Sequence, residues 1–208
     1  MTLQEVIRHQ ASIVGRVTDA RTGSALGRVR IDLAGSSPAF ADLVALAAEQ
    51  FGTAWPTMAE RPDRTLSRAD GAICFVNLPD GQYTLTASLP AAGSRYGTNQ
   101  THAQVSRDAA GTIHAVLVEL TLPATTVTGR VSTAGGAPIM MAAVSVEGSG
   151  EQVWTDAQGH YAVSGIEVGN RNLVISAQGF QTARTPAVLG GAGSTLTVDV
   201  TLQSSGGA

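Results

Sequence analysis

The chain repeats itself. Val14-Gly15-Arg16-Val17 returns as Thr128-Gly129-Arg130-Val131, and the residues downstream of each copy return in the same order. In the first copy Ala69-Asp70-Gly71-Ala72-Ile73 runs on to Leu78-Pro79-Asp80-Gly81-Gln82-Tyr83-Thr84-Leu85. In the second, Ala157-Gln158-Gly159-His160-Tyr161 runs on to Ile166-Glu167-Val168-Gly169-Asn170-Arg171-Asn172-Leu173, with both glycines and every intervening spacing kept. A pattern written twice predicts two modules built on one strand register.

Periodicity says what each module is. Ile13, Gly15 and Val17 alternate with Val14, Arg16 and Thr18, and Val29, Ile31 and Leu33 alternate with Arg30 and Asp32, which is the pattern of half-buried strands. Further strands are expected over 72–77, 82–88, 102–106 and 112–122. In the second module they are expected over 127–132, 143–147, 152–155, 160–164, 171–177, 187–189 and 194–202. Turn signals such as Asp70-Gly71, Pro79-Asp80-Gly81 and Gln158-Gly159 separate them. Short strands at this spacing predict an all-β chain of two sandwiches.

The division runs as an N-terminal arm (1–10), a first sandwich (11–123), a second sandwich (124–203) and a flexible tail (204–208). One feature breaks the repeat. Aligning Ile31 with Val146 leaves the first module with an excess of about 27 residues before the Asp70-Gly71 turn. This insertion, about 36–64, opens with Ser36-Ser37-Pro38, a capping residue and a first-turn proline. It then carries Phe40, Leu43, Val44, Ala47 and Phe51 at helical spacing. An amphipathic helix of three to four turns is expected, followed by the apolar loop Trp55-Pro56-Thr57-Met58. Such a helix either covers its own module or offers Phe40, Leu43, Phe51 and Trp55 to a partner.

The pattern Gly-Arg-Val, then Asp-Gly or Gln-Gly before a strand, then Leu-Pro-Asp-Gly-Gln-Tyr-Thr-Leu or its second-copy equivalent, resembles the carboxypeptidase regulatory-like domain. The resemblance implies a transthyretin-like Greek-key β-sandwich in each module, and a non-catalytic one, since modules of this kind are attached to other things. Ala177-Gln178-Gly179-Phe180-Gln181 sits where the family often carries a Gly-aromatic turn. The first copy departs through its insertion and through the polar stretch Ser94-Arg95-Tyr96-Gly97-Thr98-Asn99-Gln100-Thr101.

Composition excludes several chemistries. There is no lysine, which removes Schiff bases, the P-loop lysine and lysine isopeptide crosslinks together. Cys74 is the single cysteine and so cannot form an internal disulfide. Alternation with Ile73 and Phe75 turns it away from the core. His9, His102, His114 and His160 are isolated in sequence, and no zinc-type His-x-x-Glu occurs. No metal, cofactor or catalytic set is expected, and the chain reads as not an enzyme. A net charge of −3 with scattered arginines gives no footprint for nucleic acid, and no apolar run approaches a bilayer span. The first residues lack the apolar core of a classical signal peptide, so the expected location is the cytoplasm or a particle assembled there.

Two functions remain. One is a structural or adaptor subunit of a larger bacterial assembly, such as a phage-tail-like contractile injection particle, with protein subunits as partners and self-association left open. The other is a carbohydrate- or surface-binding module whose ligand loop would use Arg95, Tyr96, Asn99 and His102.

Overall fold

The computed structural model describes residues 9–206. The strands of the first unit are β1 (Ala11–Asp19), β2 (Arg30–Gly35), β3 (Arg64–Leu66), β4 (Ala72–Val76), β5 (Gly81–Ser88), β6 (Asn99–Val105) and β7 (Val116–Leu122). The second unit contains β8 (Thr126–Thr133), β9 (Ala143–Val146), β10 (Gln152–Trp154), β11 (His160–Ser164), β12 (Gly169–Ser176), β13 (Ala183–Leu189), β14 (Thr195–Thr197) and β15 (Val200–Leu202). A helix α1 (Pro38–Phe51), continued as a 3-10 turn over Gly52–Thr57, lies between β2 and β3. Among the described residues the chain is all-β apart from its insertion and a short 3-10 turn at Pro90–Ala92.

Each unit repeats one topology. In the first, a β4-β1-β7 sheet faces a β3-β2-β5-β6 sheet; in the second, β11-β8 with β14 and β15 faces β10-β9-β12-β13. The last strand runs parallel to the first in both units, β7 along β1, and β14 then β15 along β8. Alternation fills the space between the sheets. Ile13, Val17, Ile31, Leu33, Ile73, Phe75, Leu85 and Leu120 form the first core, and Val127, Val131, Val144, Val146, Tyr161, Val163, Leu173 and Ile175 the second.

The repeated residues do the same work twice. The Gly71 carbonyl accepts the Val17 N–H (2.9 Å), as that of Gly159 accepts Val131 (2.8 Å). Arg16 Nε donates to the Asp70 carbonyl and Arg130 Nε to that of Gln158, both at 3.0 Å. Ser67 Oγ accepts Val29 N–H (2.9 Å) and donates to the Leu26 carbonyl (2.6 Å). Thr155 Oγ1 does the same with Ala142 (2.8 Å) and Ile139 (2.7 Å). Each buried hydroxyl therefore closes two backbone groups that the sheets leave over.

The structure alters four of the expectations. Ile31 pairs with Ala87 and Val144 with Ile175, so Ile31 corresponds to Val144, and the insertion is shorter by a pair of residues than the alignment to Val146 made it. Residues 90–97, expected in the first sandwich, belong to the second unit together with Pro123 onward. Their backbone explains it: Thr125 N–H donates to the Arg95 carbonyl (2.8 Å) and Gly97 N–H to that of Pro123 (2.9 Å). The tail is in part paired, with Ser204 bridging Phe180 and Ser205 N–H donating to Gly179 (3.0 Å). The expected strand over 194–202 is broken between β14 and β15, where the Val198 carbonyl takes the Tyr161 hydroxyl (2.6 Å). The first eight residues of the N-terminal arm lie outside the described residues.

Candidate interaction surfaces

Local chemistry fixes both ends of α1. Ser37 caps it, its Oγ accepting Phe40 N–H at 3.3 Å, Pro38 fills the first turn, and Gly52 ends it at φ 52°. Phe40 is the one buried residue of the helix. Its ring stands edge-on to Tyr83, centroids 5.1 Å apart at 90°. Gly35 makes room for both rings: a Cβ there would come within 2.6 Å of Phe40 and 2.7 Å of Tyr83. The Tyr83 hydroxyl donates to the Pro79 carbonyl (2.6 Å), and burial raises its pKa above the ordinary value.

Beyond Phe40 the helix is shallowly seated. Leu43, Val44 and Ala47 are half-buried, Phe51 is 44% exposed and Leu46 is 66% exposed. A groove of about 400 Å³ runs between α1 and β2, lined by Ala34, Ala41, Val44, Ala45, Ala48 and Asp63 among others. Trp55 is occupied locally, because the Arg61 guanidinium lies 4.5 Å from its ring centroid and donates to its carbonyl (3.2 Å). Arg61 also pairs with Asp63 at 2.9 Å.

Of the four residues expected at an interface, Phe40 therefore faces inward and Trp55 sits against Arg61. Leu43 is half-covered, and Phe51 is open to solvent. Leu46 is the residue that sequence reasoning passed over. It lies off the stripe of Phe40, Leu43, Val44, Ala47 and Phe51, and a large apolar side chain off the anchoring stripe was the available signal.

The expected ligand loop is divided. Arg95 and Tyr96 belong to the second unit, where Arg95 approaches Glu151 and Glu167, both at 3.7 Å, and Tyr96 bridges Ala124. Ser94 anchors the segment by accepting Thr125 Oγ1 on its carbonyl (2.8 Å) and Val168 N–H on its hydroxyl (3.0 Å). Asn99 and His102 lie on β6 of the first unit. Asn99 donates to the Thr121 carbonyl (2.8 Å), and a His102 ring nitrogen meets Thr84 Oγ1 (3.1 Å).

His102 lines a concavity of about 760 Å³ on the outer face of the four-stranded sheet. Ser36, Gln82, Thr84 and Gln104 share it, with Ala34, Gly35 and Ala103 between them, and none of the lining side chains is a carboxylate or a guanidinium. Such a surface engages a ligand chiefly by donating and accepting hydrogen bonds.

Two of the carboxylates, Asp156 and Asp108, serve turns. Asp156 accepts the N–H of His160 (2.8 Å) and of Gln158 (2.9 Å), and those bonds hold its pKa below the ordinary carboxylate value. Asp108 does the same with Thr112 and Ala110, both at 2.9 Å, beside His114 at 3.3 Å. Burial, followed by the charge of Asp199, pushes the Tyr161 phenol up. Among the described residues no group of three or more His, Cys, Asp or Glu gathers as a metal site would need. No helix among them is long and apolar enough to cross a membrane.

The family model of the carboxypeptidase regulatory-like domain matches residues 126–203. Among solved structures, the shaft pilin SpaA from Lactobacillus rhamnosus GG is 11% identical over 97% of this chain and 100% of that one, with a TM-score of 0.42. A streptococcal ancillary pilin is 16% identical over 96% of this chain and 63% of that one, with a TM-score of 0.39. No curated protein matches. The second unit carries the β8-β11 pairing, the Gly159 turn and the parallel closing strands, and the first repeats its strand order around an insertion. Residues 126–203 are thus similar to the carboxypeptidase regulatory-like domain.

Proposed function

We propose that the chain is a non-catalytic structural or adaptor subunit, held in a larger protein assembly by the insertion of its first unit. The observation that carries this reading is the seating of α1, in which Phe40 is the one buried residue while Leu46 and Phe51 stay exposed. The second unit builds the same sandwich without any such helix, so the fold does not need it. An element that puts one side chain into the core and leaves apolar surface exposed beyond it is suited to docking. The assembly in view is a bacterial particle of the phage-tail-like kind, put together in the cytoplasm.

Purification of the tagged chain from its source cells tests this. Recovery of a stoichiometric set of structural subunits, visible as particles by electron microscopy, supports it; a lone chain in the eluate contradicts it.

A second reading has its own observation, the concavity without carboxylate or guanidinium around His102, Thr84, Gln82 and Gln104. It suits a neutral polyhydroxylated ligand such as a glycan. Glycan-array binding lost on Gln82→Ala with Gln104→Ala supports it, and an empty array contradicts it.

A further inference from the structure

The outer face of the β4-β1-β7 sheet carries an apolar row that the fold does not require. Val14 pairs in register with Cys74 on one side and with Leu117 on the other. Val76 lies two residues along β4 from Cys74, on the same face. Leu117 is 82% exposed and Val76 46%, and Cys74 is exposed.

The second unit supplies the control. There the register places Thr128 between Ala162 and Thr197, with Ser164 in the place of Val76. Thr128 and Thr197 share a hydrogen bond of 3.3 Å between their hydroxyls. One topology is thus satisfied by a solvated face in one unit and carries an apolar one in the other.

The neighbouring row carries one charge of each sign. Arg16 pairs in register with Glu119 across β1 and β7. Arg16 Nε is held on the Asp70 carbonyl (3.0 Å), and Glu119 has no ion pair among the described residues. In the second unit Asp199, which precedes β15 as Glu119 precedes Leu120, turns back to accept the Arg130 N–H (2.8 Å). Glu119 is not spent in that way.

We propose that this face binds a second copy of the chain, about a two-fold axis that runs along the strands between β1 and β7. That operation sets Val14 against the partner's Leu117 and Arg16 against the partner's Glu119, each contact made twice. The face is self-complementary under this axis, apolar on apolar and cation on anion. A purely apolar partner would leave both charges uncompensated. Cys74 lies at the rim, one strand out from the axis. The proposal is independent of α1.

Sedimentation equilibrium of the full chain under reducing conditions tests it. The wild type is expected to be a dimer. Leu117→Thr installs the residue that Thr197 shows the sheet accepts, and is expected to raise the dissociation constant by at least about tenfold. Glu119→Arg sets arginine against arginine and is expected to leave a monomer. Adding Arg16→Glu restores the dimer, with folding of every variant checked by circular dichroism. If the double reversal does not fold, the two single variants decide. A wild-type monomer at all concentrations overturns the proposal, whether Cys74 then proves open to a thiol reagent or covered from within the chain. A dimer indifferent to Leu117→Thr or to Glu119→Arg overturns it as well.

Discussion

Phe40 stands edge-on to Tyr83 at 5.1 Å, and this contact joins the one buried residue of the inserted helix to the core of the first sandwich. The sandwich without the helix would leave Tyr83 beneath a glycine, Gly35, whose missing side chain is the space that Phe40 fills. Phe40→Ala removes a ring buried to 5% exposure and is expected to cost about 3–5 kcal/mol. Gly35→Ala is expected to destabilise as well, because both rings must shift to admit a methyl group. Urea unfolding at constant m-value checks both.

The Gly-Arg-Val glycines can be tested against each other. A Cβ on Gly15 would strike the Val118 carbonyl, and one on Gly129 would strike that of Val198. Alanine at either position is expected to force the closing strand off the first strand of its unit, and to unfold that unit at lower temperature than the other. Calorimetry resolves which transition moves. A variant that melts like the wild type would mean that the close approach is not needed.

Thr155 closes two buried backbone groups, and Thr155→Val keeps its shape while removing the hydroxyl. Ala142 N–H and the Ile139 carbonyl are then left without their partner. A loss of about 1–3 kcal/mol is expected, from the desolvation of groups left unpaired. Ser67→Ala is expected to reproduce it in the first unit, where the same bridge is made. Equilibrium denaturation measures each.

The turn carboxylates set an acid limb. In Asp156 the folded pKa lies below the unfolded value, so its contribution is present above the ordinary carboxylate pKa. It is lost as pH falls from that value through the folded one. Asp156→Asn is expected to flatten the fall in stability below about pH 4. Tyr161 acts at the other extreme: its raised pKa gives a contribution that is full below the unfolded tyrosine value and lost as pH rises beyond it. Tyr161→Phe is expected to flatten the alkaline limb. Thermal melts across pH check both signs.

Most of the fold was legible because the repeat and the two-residue alternation act together. Ile13, Val17 and Val29 could not face solvent without reversing every neighbour. What escaped has physical causes. Strand β3 is Arg64-Thr65-Leu66, too short and too polar to alternate, and it is a strand only because it pairs with β2. Residues 90–97 join the second unit chiefly through backbone groups of Ser94, Arg95 and Gly97, which carry no side-chain signature. The helix itself was legible from Ser37-Pro38 and its stripe, and Leu46 was legible only as a large apolar side chain off that stripe.

The most direct test of the assembly reading is the double variant Leu46→Asp, Phe51→Asp, purified from source cells beside the wild type. Both side chains are exposed, so its thermal midpoint is expected to stay where it is while the co-purifying structural subunits are lost. An unchanged set of partners, or a variant that fails to fold, would contradict the claim that the exposed side of α1 is a docking surface.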